Sequence, residues 1–96
     1  MIDLQELCER IGIGACLICE SMVCYMVEEN DKKAIESLYR KLISLFKDEE
    51  FEGGIFKKNG KTFAILKIEN CVLITPVAKD AGVFYYKLKR ALEELK

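Results

Sequence analysis

Apolar positions along the chain recur first at helical spacing, then in two nearly unbroken runs, then at helical spacing, then by alternation, and last at helical spacing again. Leu4, Leu7, Cys8 and Ile11 follow the capping residue Asp3 on one helical face, and Gly12 suits the end of that helix. Residues 13–20 carry apolar side chains on both faces, Ile13, Ala15, Leu17 and Cys19 alternating with Cys16 and Ile18; residues 22–27 are apolar throughout. A helix over residues 15–27 fits the periodicity alone, but the β-branched and Cys content favours two strands of a sheet covered on both sides. Glu20-Ser21 is the predicted turn between them, without the usual hairpin Gly or Asn.

Asp31 is the predicted N-cap of a second helix running to about residue 47. At roughly 100° per residue, Ala34, Ile35, Leu38, Tyr39, Leu42, Ile43, Leu45 and Phe46 fill about half its circumference. A surface helix needs an apolar stripe of only about 100°. Two readings follow: a helix sunk deeply between neighbours in its own chain, or one that packs on its own sheet and on another subunit.

Gly53-Gly54 opens a third strand, residues 55–58, and Asn59-Gly60 is a strong signal for a type I′ hairpin turn. Residues 61–69 return as the fourth strand, with Phe63, Ile65 and Lys67 on one face and Ala64, Leu66 and Ile68 on the other. After a turn near Asn70, residues 71–77 form the fifth strand, with Pro76 close to its end because proline cannot donate to the ladder. Asp80 then caps a last helix whose inner face carries Phe84, Tyr85, Leu88, Ala91, Leu92 and Leu95, while Tyr86 falls about 100° off that face. The predicted order, α-β-β-α-β-β-β-α, fills residues 1–96 as a single α+β domain.

Composition narrows the function classes. Apolar residues at 51% and charged residues at 32% describe a folded domain, and 15 basic against 16 acidic side chains leave a net charge of −1. That balance lacks the basic footprint of a nucleic-acid binder, and no apolar run is long enough to span a bilayer. The start, Met1-Ile2-Asp3-Leu4, does not read as a secretory signal, so the cytoplasm is the expected location.

Five cysteines are an odd number, and most lie in strand-like apolar segments, where a free Cys behaves as a small buried hydrophobe. They are expected to be structural thiols; in a hyperthermophile, intracellular disulfides become admissible. Cys16, Cys19, Cys24 and Cys71 could be read as a metal set, but residues three apart on a strand point to opposite faces, so one ion could not take both Cys16 and Cys19. Gly12-Ile13-Gly14 follows a helix and precedes a strand, the reverse of a phosphate loop. The chain has no His, and Glu49-Glu50 and Glu93-Glu94 read as solvated charge, so neither an enzyme activity nor a metal or other cofactor is expected.

The element order, together with the stretch from Val72 through Pro76, Gly82 and Tyr85-Tyr86 to Leu95, resembles the Roadblock family, named for the dynein light chain and including the bacterial regulator MglB and small archaeal relatives. The first hairpin has Glu20-Ser21 where family members often have Asp and Gly. The resemblance implies a five-stranded antiparallel sheet in the order 2-1-5-4-3, with the first and last helices on one face and the second on the other. It also implies a homodimer made by pairing third strands and packing second helices, which serves as a platform for a small Ras-like GTPase and lends it no catalytic side chain. The dimer contact is then expected at Ile35, Leu38, Tyr39, Leu42, Ile43 and Phe46, with Ile55 and Phe56 on the pairing strand. Two other classes remain: a small-ligand sensor of profilin-like or PAS-like architecture, marked by a cavity over the sheet, and a cysteine-based metal or redox protein.

Overall fold

The computed structural model describes residues 3–45, 52–58, 60–78 and 80–95. Helix α1 (Leu4–Ile11) starts where the Asp3 carboxylate accepts the Glu6 amide, and it ends at Gly12, whose φ of 75° is the left-handed conformation that glycine adopts without penalty. Strands β1 (Ala15–Ile18) and β2 (Met22–Tyr25) follow, then α2 (Glu29–Leu45), β3 (Gly53–Lys58), β4 (Lys61–Ile68), β5 (Cys71–Val77) and α3 (Ala81–Leu95). The sheet is antiparallel throughout and ordered β2-β1-β5-β4-β3, the order that the family resemblance implied.

The central strands face two cores. On one side Ala64, Leu66 and Leu73 pack under α1 and α3, against Leu4, Leu7, Leu88 and Leu92. On the other, Phe63, Ile65 and Ile74 pack under α2, against Ile35, Leu38 and Leu42. Alternation along β4 thus divides its residues between two layers of helix. Thr75 is the buried polar exception; its hydroxyl donates to the Gly14 carbonyl at 2.7 Å.

Several boundaries differ from the sequence expectation. The first strand begins at Ala15 rather than residue 13: Ala15 pairs with Tyr25, and Met26, next in that register, has a φ of 57° that takes it out of the ladder. The close approach of the two segments there leaves no room for a Cβ on Gly14. The β1–β2 connection is Cys19-Glu20-Ser21, since Ile18 pairs with Met22, so it is one residue longer than the predicted turn. Asp31 is not the N-cap of α2. The Glu28 carbonyl accepts the Lys32 amide, the helix is under way at Glu29, and Asp31 sits in its first turn, where its carboxylate pairs with Lys61. Asp80 does precede α3, and its carbonyl accepts the Phe84 amide. Asn59 of the predicted turn, Glu49-Glu50 and the side chain of Leu95 fall outside the described residues; Lys58 pairs with Lys61 across the turn, and Gly60 has a φ of 77°.

The cysteines depart most from expectation. Four are not thiols: Cys16 is bonded to Cys24 and Cys19 to Cys71. Both bonds follow the strand registers. Cys16 lies directly opposite Cys24, and Cys19 follows Ile18, whose partner Val72 follows Cys71. The Cys16–Cys24 bond lies on the α2 face, whereas Cys71 stands opposite Ile68 on the α1/α3 face. Cys16 and Cys19 therefore do not converge on one ion. Cys8 is the free thiol; burial raises its pKa, which leaves it inert.

Alkylation of the denatured, unreduced chain should therefore modify one cysteine, and alkylation after reduction all five. In the chain-entropy account a link across 52 residues contributes about 4 kcal/mol and one across 8 residues about 2.5 kcal/mol. Replacing Cys19 and Cys71 by Ser should thus lower the urea midpoint more than replacing Cys16 and Cys24 by Ala. The reverse order would assign the larger effect to packing at Cys16.

Candidate interaction surfaces

The residues nominated for a subunit contact fall into three groups. Ile35, Leu38 and Leu42 are buried by the chain's own sheet, Leu42 only 2% exposed. Tyr39 and Phe56 are half-buried at the margin of the same core. Ile43 and Ile55 are open to solvent, and Phe46 lies outside the described residues. The middle of the wide apolar arc on α2 is therefore consumed internally, and what remains for another molecule is its flanks.

Those flanks look in different directions. Glu36, Tyr39 and Arg40 line an open hollow with Cys19, Ser21 and Met22, so this flank leans toward the β1–β2 hairpin. Ile43, about 40° from Tyr39, belongs to the same side. On the opposite flank Ser37 is bonded by the Lys58 ammonium of β3. Ala34, Ser37, Lys41 and Leu45 share an arc of about 80° there, and Leu45 is 71% exposed. The side of α2 that borders β3 thus offers Ala34 and Leu45, neither of them nominated from sequence. The helical wheel contained both, but only the sheet order tells which flank adjoins which strand.

Among the described residues strand β3 pairs with β4 alone, so its other edge has no strand partner there. Ile55 stands on the α1/α3 side of this edge, opposite Ala64, and Phe56 on the α2 side, opposite Phe63. The edge is held in place from both layers. Lys58 reaches Ser37 above, and Glu52, just before the strand, pairs with Lys89 of α3 at 2.5 Å. That ammonium lowers the Glu52 pKa, and the carboxylate raises that of Lys89; the pair is exposed, so it orients more than it stabilises. Gly53 admits no side chain, since a Cβ would lie 2.3 Å from the Ile65 carbonyl oxygen. The opposite edge, β2, is only 4 residues long.

Among the described residues no group of three or more Cys, Asp or Glu is placed to hold a metal ion, and no buried side-chain nitrogen or oxygen lacks a partner. No helix of the described residues is long and apolar enough to cross a membrane.

Among solved structures the chain is similar to the Roadblock/LC7 domain from Streptomyces avermitilis, with a TM-score of 0.58 and 13% identity over 95% of this chain and 89% of that one. The chain has a Roadblock-like fold. No family model matches the sequence, and no match is found among the curated proteins. At this identity the likeness concerns the arrangement of the backbone.

Burial separates two substitutions on α2. Leu42→Glu places a charge in the core and should cost several kcal/mol, enough to unfold a domain of this size. Leu45→Glu, at a position 71% exposed, should cost far less and leave the chain folded. Equal stability of the two variants, followed by circular dichroism, would mean that Leu42 does not face the sheet.

Proposed function

We propose that two copies of the chain join through the open edge of β3 and the adjoining flank of α2, and that this dimer is a non-catalytic cytoplasmic scaffold regulating a small Ras-like GTPase. The observation that carries the first half is the juxtaposition of an unpaired six-residue strand edge with the exposed Leu45 and Ile55. Antiparallel pairing of β3 with its own copy is self-complementary under a two-fold axis normal to the sheet. Such an axis keeps both α2 helices on one face and brings their β3-side flanks together. Ala34, Ser37, Lys41 and Leu45 of α2, with Ile55 and Phe56 of β3, supply the contact; Ile35, Leu38 and Leu42 support it from beneath. Tyr39 and Ile43 stay on the far flank, available to a further partner.

The Roadblock-like fold supports the second half, since the resemblance implies a platform for Ras-like GTPases. In this reading the chain acts by contact and lends the GTPase no catalytic side chain, which is what the resemblance implies. Two disulfides fit a cytoplasm that tolerates them, as in hyperthermophiles. A ligand-sensing role draws no support from the hollow of about 470 Å³ on the surface, which opens beside α1 and α3 rather than over the sheet.

Light scattering on a sizing column at micromolar concentration should give a mass near twice 11.0 kDa for the wild type and near 11.0 kDa for the folded variant Leu45→Glu, Ile55→Lys. A wild-type monomer, or a variant that stays dimeric, would overturn this contact. For the GTPase role, Ras-like GTPases of the same organism, loaded with GDP or a non-hydrolysable GTP analogue, should bind in a nucleotide-dependent manner and change their rate of nucleotide release or hydrolysis. Absence of binding by all of them at tens of micromolar would sink that role while leaving the dimer standing.

A further inference from the structure

The outer surface of α3 carries a second stripe that the core does not use. Val83 is followed three and four residues on by Tyr86 and Lys87, and Lys87 in turn by Arg90 and Glu94 at steps of three and four, on the side of the helix away from Leu88 and Leu92. With Ile11 and Phe84 they border an open groove of about 470 Å³ beside α1. Its apolar members are conspicuously exposed, Tyr86 at 64% and Val83 at 57%. Exposed aromatic and branched side chains in a concave surface are common anchors for a partner.

The charge in the groove is one-sided. Arg10 is already engaged, its guanidinium 3.0 Å from the Glu94 carboxylate and 3.9 Å from that of Glu6. Lys87 and Arg90 form no ion pair with any described residue. Two uncompensated cations therefore flank two exposed apolar side chains on a chain whose net charge is −1. A flat anionic bilayer matches this poorly, because the site is concave and the protein as a whole is acidic. A second copy related by a two-fold axis through the groove would bring an equal cationic stripe to it.

We infer that the α1/α3 groove is a docking site for an acidic amphipathic segment of another protein, its apolar side chains seated on Val83 and Tyr86 and its carboxylates on Lys87 and Arg90. The stripe from Val83 to Glu94 is about 16 Å long, so the segment is a helix of about three turns laid alongside α3. The site lies on the face of the sheet opposite α2, so its occupancy is independent of the dimer contact proposed above.

The test is affinity selection from a randomised peptide display library against the oxidised, folded chain, with fluorescence anisotropy on the enriched peptides. Enriched sequences should carry Asp or Glu beside Leu, Ile or Phe at helical spacing. Their affinity should fall at least tenfold on Tyr86→Ala and on Lys87→Glu with Arg90→Glu, hold on Arg90→Lys, and weaken as salt is raised. Because these positions are exposed, circular dichroism should show every variant folded. Lack of enrichment, charge-independent peptides, or affinities indifferent to Tyr86 would overturn the inference. So would sedimentation of the chain with phosphatidylserine vesicles that the same substitutions abolish, or a solution mass that halves on Tyr86→Ala.

Discussion

The fold depends on a central pair of strands with no solvent face. In β4 and β5, Ile65 lies opposite Ile74 under α2, and Leu66 lies opposite Leu73 under α1 and α3. Strands buried on both sides demand a helix layer on each, and a chain of 96 residues can meet that demand with few helices to spare. One layer takes two helices and the other takes one. The single helix, α2, must then cover its face alone, which explains why its apolar arc is wider than an ordinary surface helix requires. The strands nearest the centre are fully covered and the edges are not, so the places left for other molecules follow from the same constraint that builds the core.

Much of this was legible in the residues. Asp3 and Gly12 bracket α1, the apolar faces of β4 are sorted by simple alternation, and Pro76 falls near the end of β5. Each of these is a local rule, decided within a few residues. What could not be read depends on register between strands. The three-residue connection between Ile18 and Met22 sets Cys16 against Cys24, and the antiparallel pairing of β1 with β5 brings Cys19 to Cys71. Hydrophobic pattern alone counts cysteines as apolar residues and says nothing of which stand opposite. The start of α2 was misread for a related reason: Asp31 is a good capping residue by type, but Glu28 is the residue whose carbonyl takes the first helical bond, and Lys61 across the sheet gives Asp31 another partner.

The nominated contact surface illustrates the same limit. Periodicity identifies which residues of α2 are apolar, and it placed Ile35, Leu38 and Leu42 at the centre of the arc. It does not say how much of the arc the chain's own sheet takes, nor which flank borders which edge. Once β3 is known to be the terminal strand, Ser37 marks the flank beside it and Leu45 becomes the exposed apolar residue there. Ile43 and Tyr39, equally apolar in sequence, lie on the other side of the helix.

The two disulfides act where this architecture is weakest. Strand β2 is short, stands at an edge, and contributes no fully buried side chain to either core. Hydrogen bonds of four residues hold such a hairpin poorly. The Cys16–Cys24 bond ties β2 to β1, and the Cys19–Cys71 bond ties the turn before β2 to β5, one strand further in. The opposite edge has no such covalent anchor. Strand β3 is longer and is held at its ends by the Lys58 and Glu52 contacts, and among the described residues no strand pairs with its outer edge. One edge is thus fixed by covalent bonds to the sheet interior, and the other is presented in a defined position. Length then separates the two edges: β2 offers a pairing run of 4 residues and β3 one of 6, and a second strand gains more ladder hydrogen bonds along the longer edge.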